Sequence, residues 1–195
     1  MARSCLLYGL IISIHVCLAG CKTNYDRLPA FTDRKYLQAI VEIPAGTNQV
    51  IKYNAKKQEF ENVTEQAIRY LPYPGNFGFI PSTRTPGEQA GDEQPIDIFV
   101  LAESQPSGTV LEVVPIGILF LERDGLPDPK IIAVPAKPTQ QIIVAEDYAT
   151  FLRKYPEIKE IITEWFRHAN PSQKVRIIGW KNEKFAEDYI RRHLL

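Results

Sequence analysis

The sequence predicts an α+β domain in which a β-barrel forms first along the chain and helices pack on it from the C-terminal third. Three observations carry this expectation. Short apolar segments with period-two alternation, cut by Gly and Pro, fill the chain from Leu37 to about Pro135. Helical periodicity is concentrated after Asp147. At 195 residues and 45% hydrophobic content the chain has enough apolar material for one packed domain of ordinary size. There is no internal repeat, no low-complexity tract and no sign of a second domain.

The strands follow in order. "LQAIVEIPAG" opens the set from Leu37, and "QVIKYNAKKQEFENV" reads as two strands joined by a Lys-rich turn. "PIDIFVLAES", "TVLEVVPIGILFLERD", "KIIAVPA" and "KVRIIGW" supply four more, rich in β-branched and aromatic residues. Pro115 sits inside the longest apolar run, so a bend or bulge is expected there. Many short strands around one core point to a barrel.

The helices come late. Tyr148, Phe151, Leu152 and Tyr155 recur at helical spacing, as do Ile158, Ile161, Ile162, Trp165 and Phe166 after Pro156 at a helix start. Both apolar faces are expected to be core. Asn182 is placed to cap a last helix that carries Phe185, Tyr189 and Ile190, with Arg191 and Arg192 at its negative end.

The N-terminus is of another kind. Arg3 precedes "LLYGLIISIHVCLAGC", an apolar stretch that is short for a bilayer span and ends in small residues, so residues 1–20 read as an export signal. "LAGC" resembles the lipobox of bacterial lipoproteins, which implies cleavage before Cys21 and a lipid on that Cys. Cys5 and Cys17 would leave with the signal, and a domain without free thiols suits an oxidising compartment. Residues 21–36 then read as the lipidated Cys and a polar tether, and residues 37–195 as the folded domain. Lys22 lacks the acidic character that retains such lipoproteins at the inner membrane, so the expected location is the periplasmic face of the outer membrane.

The formal net charge is zero, with 23 basic and 23 acidic residues, which argues against nucleic acid as a partner. No P-loop, no H-E-x-x-H and no paired Cys of the folded part is present. His168 and His193 fall in helical segments and read as surface or capping residues. What remains is a set of acids beside turns and strand ends, Glu42, Asp92, Glu93, Asp97, Asp124 and Asp128, with Lys52 and Lys130 among them. Interleaved carboxylates and lysines are what a magnesium and phosphate site needs, since Mg²⁺ takes oxygen ligands and Lys gives point charge to phosphate. On composition alone a solvated acidic loop is the better reading of these residues.

A resemblance narrows the choice. "IVEIPAG", "IKYN", "YPGNFGFIPST", "QPIDIFVL", "PSGTVLEVVPIGILFLERDGLPDPKIIAVP" and "IIGW" occur in the order and spacing of soluble family I inorganic pyrophosphatases, from Ile40 to Trp180. The resemblance implies a five-stranded OB-like barrel with flanking strands and C-terminal helices. It also implies Mg²⁺-dependent hydrolysis of pyrophosphate to two phosphates, with Mn²⁺ as a possible substitute ion, and assembly as hexamers. Carried over by position, Glu42, Tyr73, Asp92 and Asp97 fall on the catalytic set, Lys52 and Lys130 on substrate-binding positions, and Asp92, Asp97 and Asp128 on metal ligands. Asp124, one step from a metal-ligand position, completes that metal set.

The chain also departs from the family pattern. The metal motif D-x-D-P-x-D reads Asp92-Glu93-Gln94-Pro95-Ile96-Asp97 here, with Gln94 in place of the middle acid. An amide cannot take the proton of an attacking water. Asn54 replaces a carboxylate, Phe77 a Tyr hydroxyl, and Ala169 with Asn170 a Tyr-Lys pair; Arg123 aligns with a metal-binding Asp, and Glu65 falls near a phosphate-binding Arg, with Arg69 close by. Two readings follow: a lipid-anchored pyrophosphatase of weakened activity, or a silent relative that binds a phosphate compound or a protein partner.

Overall fold

The computed structural model describes residues 23–63, 71–86 and 93–195. Among these residues nine strands and three helices are formed: β1 (Leu37–Ile43), β2 (Ile51–Asn54), β3 (Glu59–Asn62), β4 (Asn76–Pro86), β5 (Glu93–Val100), β6 (Val110–Arg123), β7 (Leu126–Pro127), β8 (Lys130–Pro135), α1 (Tyr148–Lys154), α2 (Pro156–His168), β9 (Val175–Lys181) and α3 (Glu183–Arg192). The main sheet runs β1-β4-β5-β8-β6, and β1 also pairs with β6, so these five strands close on themselves. That closure is the expected barrel. The β5–β8 pair is parallel and the other rungs are antiparallel. β7 and β9 extend the sheet from β6, while β2 and β3 form a separate hairpin.

Side-chain alternation divides the apolar residues into two clusters. On one face Val41, Ile80, Ile96, Ile98, Ile118 and Ile131 pack with Ala186 and Ile190 of α3. On the other, Phe99, Leu119, Leu121 and Ile132 pack with Phe151, Ile162, Trp165 and Phe166 of α1 and α2. A fully buried aliphatic or aromatic side chain stabilises the fold by roughly 1.5–3 kcal/mol, so these faces dominate its energetics. The helix ends follow the expected rules. Asp147 caps α1 by accepting from Thr150 N, Pro156 starts α2, and Asn182 caps α3 by accepting from Phe185 N.

Two expectations need amending. Leu152 and Ile161 belong to the periodic faces but are 37% and 55% exposed, because each helix buries a narrower stripe than its apolar face offers. Gln94 and Pro95 lie inside β5 rather than in a turn. The irregularity is carried by β4, whose register against β5 jumps between Ile80 and Thr85. There Thr83 Oγ1 accepts from Ile96 N (3.0 Å). Residues 23–36, the described part of the 21–36 stretch, lie against the barrel. Tyr25 meets Tyr53 and Phe60 edge-on at 5.3 Å each, Ser82 Oγ donates to Leu28 O (2.8 Å), and Ala30 is buried. The expected bulge at Pro115 is present, between Pro115 and Gly117 against β8.

One bulge positions the site directly. β1 shifts register against β4 between Val41 and Ile43, leaving Glu42 as the extra residue. Gly78 makes this approach possible, since a Cβ there would lie 1.8 Å from Ile40 O. Only a residue without a side chain fits.

Candidate active site

The bulged Glu42 opens onto a cavity of about 680 Å³, also lined by Lys52, Tyr73, Phe77, Gln94, Asp97, Arg123 and Lys130. Its size lies in the usual range for small-molecule pockets. β5 supplies Asp97 on the strand face shared with Phe99, and β8 supplies Lys130 at its first residue. α2 closes the apolar wall. Trp165 Nε1 donates to Pro72 O (2.8 Å), and its ring lies 4.6 Å from that of Tyr73.

The floor is a chain of ion pairs. The Lys130 ammonium pairs with both Asp97 and Asp128, and Arg123 Nε donates to Asp128 Oδ2 at 2.8 Å. Arg123 Nη1 donates to Gln173 Oε1, which also accepts from Asn170 Nδ2 (3.0 Å). Lys130 is nearly sealed, its side chain 2% exposed, and its ammonium lies 5.5 Å from the Phe77 ring centroid. A cation this deep requires such partners.

Protonation follows from this arrangement. Burial disfavours the Lys130 cation, but Asp97 and Asp128 more than offset it and hold the ammonium above its usual range. Burial also works against ionisation of Asp128, yet Lys130 and Arg123 pull its carboxyl below the ordinary value. Asp97 goes the other way: desolvation, aided by the neighbouring Asp128, raises it despite Lys130. Desolvation pushes Glu42 up to about 8, against the hydrogen bond its Oε1 accepts from Tyr53 N (2.6 Å). Tyr73 is also raised, chiefly by burial, and keeps its proton.

Of the residues singled out in the sequence, Glu42, Lys52, Tyr73, Asp97 and Lys130 meet around the one cavity, with Asp128 beneath it. Asp124 does not line it. It occupies the β6–β7 turn at φ 51°, where its Oδ1 accepts from Lys174 N (3.0 Å). Asp92, Cys21, Glu65 and Arg69 lie outside the described residues. The substituted positions have structural uses of their own. Asn54 Oδ1 accepts from Lys56 N and Lys57 N, closing the β2–β3 turn, and its Nδ2 donates to Glu61. Ala169 is buried in the core. Gln173 and Arg84, which also line the cavity, went unnoticed in the sequence because neither falls in a periodic segment or a quoted motif.

Among the described residues the donor set does not suit the several metal ions that the family resemblance implies. Among the described residues, no group of three or more His, Cys, Asp or Glu is placed to hold a metal ion. Asp97 and Asp128 are already engaged by Lys130 and Arg123, and Gln94 offers only an amide.

Comparison with known proteins agrees with the fold. The family model described as inorganic pyrophosphatase matches residues 39–194. An inorganic pyrophosphatase of Agrobacterium fabrum is 34% identical over 163 residues, covering 79% of this chain and 85% of the relative. One from Saccharolobus solfataricus is 31% identical over 161 residues, covering 80% and 88%. The crystal structure of the Thermus thermophilus enzyme superposes with a TM-score of 0.74 at 24% identity, over 87% of this chain and 95% of that one. With four fifths of its length matched by the family model and a relative 34% identical over 163 residues, this chain belongs to the inorganic pyrophosphatase family.

Proposed function

We propose that the chain binds pyrophosphate in the cavity and hydrolyses it to two phosphates at a reduced rate, held at a bacterial membrane by lipid on Cys21. The observation that carries this reading is the convergence of Lys52, Lys130 and Tyr73 with the acids Glu42 and Asp97 on one cavity inside the family-matched region. Lys52 and Lys130 offset the charge of the diphosphate. Tyr73, kept protonated by burial, donates a hydrogen bond to a phosphoryl oxygen.

Hydrolysis adds one water across the P–O–P bridge. The water oxygen bonds to one phosphorus, the bridging oxygen leaves with the other together with its electron pair, and a proton must be taken from the water. Gln94 cannot take it. Asp97 is tied to Lys130, and Glu42 with its pKa near 8 is mostly protonated at neutral pH. The proton acceptor is the weak point, so turnover is slow and rises as Glu42 ionises. In this reading Mg²⁺ or Mn²⁺ comes as the counter-ion of the diphosphate, not as a resident of the protein.

Phosphate release from pyrophosphate by the full chain in detergent, with Mg²⁺, with Mn²⁺ and with chelator, tests the reading. Slow release above the blank is expected, and Gln94→Asp should raise it by about tenfold or more, the scale of one lost electrostatic contact at a reacting centre. No release at micromolar protein sinks hydrolysis. The pairing of Arg123 with Asp128 favours the second reading, a phosphate-binding protein without turnover. Calorimetric binding of pyrophosphate without phosphate release would establish it.

A further inference from the structure

Two of the four charged groups on the cavity floor are cations. Asp97 and Asp128 bring two negative charges, and Lys130 with Arg123 brings two positive ones, so the ion-pair chain is neutral before any ligand enters. A divalent ion placed among them would find both carboxylates already held by cations, and would meet the repulsion of a fixed guanidinium. Arg stays charged at every accessible pH. It is also built in: Nε is held by Asp128 at 2.8 Å, Nη1 by Gln173, and Gln173 in turn by Asn170.

We propose that this cavity takes the diphosphate group without a resident metal ion, with Arg123 and Lys130 supplying the positive charge that metal ions would otherwise bring. The proposal rests on the reading that the cavity is the diphosphate site. Guanidinium and ammonium groups are the two side-chain cations suited to phosphate oxygens, the first by its planar donors and the second as a point charge. Both line this cavity, at the C-terminal end of β6 and the N-terminal end of β8. Phe77 adds to the effect, since its ring lies beside the Lys130 ammonium and offers no hydroxyl to a metal-bound water.

Titration calorimetry of the full chain in detergent with pyrophosphate, in chelator and in Mg²⁺, decides the matter. Binding in chelator within about threefold of that in Mg²⁺ is expected. Arg123→Met should weaken binding in chelator by about tenfold or more, as loss of a phosphate-directed charge does, while Arg123→Lys should keep most of it. Mn²⁺ alone, followed by electron paramagnetic resonance, should show no tight site. Binding seen only with Mg²⁺, unchanged affinity in a folded Arg123→Met, or tight Mn²⁺ binding to the chain alone would overturn the proposal while leaving the diphosphate reading intact. Absence of binding in both buffers would overturn both. Circular dichroism of each variant shows whether a loss of binding is a loss of fold.

Discussion

Replacing Glu42 by Gln probes the electrostatics of the cavity without relying on turnover. Glu42 sits at the β1 bulge, and desolvation, with a smaller push from Asp97, raises its pKa from the ordinary 4.5 to about 8, against Tyr53 N–H and Lys52. Between those two values the folded protein holds a proton that the unfolded chain releases. The stability this lends is therefore complete below pH 4.5 and is lost as pH climbs to about 8. One pKa unit is worth about 1.4 kcal/mol, so stability should fall by about 2 kcal/mol between pH 5 and pH 7 from this group alone. Gln keeps an oxygen for Tyr53 N–H and does not ionise. Urea unfolding of both proteins in chelator, at steps from pH 5 to pH 8, should show the variant gaining on the wild type by about 3–4 kcal/mol, or roughly 6–16 °C in Tm. Parallel curves would refute the reasoning, because Glu42 would then ionise in the fold near its usual value and the cavity would be wetter than its walls imply.

Two further changes test the scaffold and the anchor. Gly78→Ala places a Cβ 1.8 Å from Ile40 O, so β1 and β4 must separate; a loss of about 3 kcal/mol or more is expected in urea unfolding, and a loss under about 1 kcal/mol would show that the bulge relaxes freely. Cys21→Ser should move the protein from the membrane fraction to the soluble fraction, and unchanged attachment would refute the lipid anchor.

Much of the barrel was legible because its strands follow period two. The exception is β4, whose "NFGFIPSTRTP" carries Gly and Pro where a strand is usually continuous and is therefore absent from the strands that alternation picks out. Those irregular residues have work to do in three dimensions. Gly78 lets the β1 bulge form, and Ser82, at φ 50°, lies within the register jump of β4 against β5 between Ile80 and Thr85. Helical periodicity likewise showed which residues share a face but not how wide a stripe is buried, so Leu152 and Ile161 were over-read. At the site, spacing alone did not bring Glu42 of β1 to Asp97 of β5 or Lys130 of β8, because those contacts depend on barrel closure. Arg123 was visible only as a residue in an acid's place. That it would clasp Asp128, and be clasped by Gln173 fifty positions away, depends on the β6–β9 pairing.

Two of the departures that the family resemblance implies, Arg123 and Asn170, are linked through Gln173, and a link of this kind is what would separate a rebuilt site from a decayed one. Decay removes partners and leaves buried polar atoms without them, each costing about 1–3 kcal/mol. Among the described residues the one buried side-chain polar atom without a partner is Asn24 Oδ1, which does not line the cavity. Asn54, Asn170 and Arg123 instead each have a defined role: Asn54 closes the hairpin turn, Asn170 holds Gln173, and Arg123, held by Gln173, neutralises Asp128. Reverting one member alone should therefore disturb its neighbours before it restores a metal site. Arg123→Asp would set a third carboxylate beside Asp97 and Asp128 with Lys130 as the one cation left in the ion-pair chain. The floor would change from neutral to a net charge of about −2, a balance that attracts Mg²⁺ but repels free pyrophosphate.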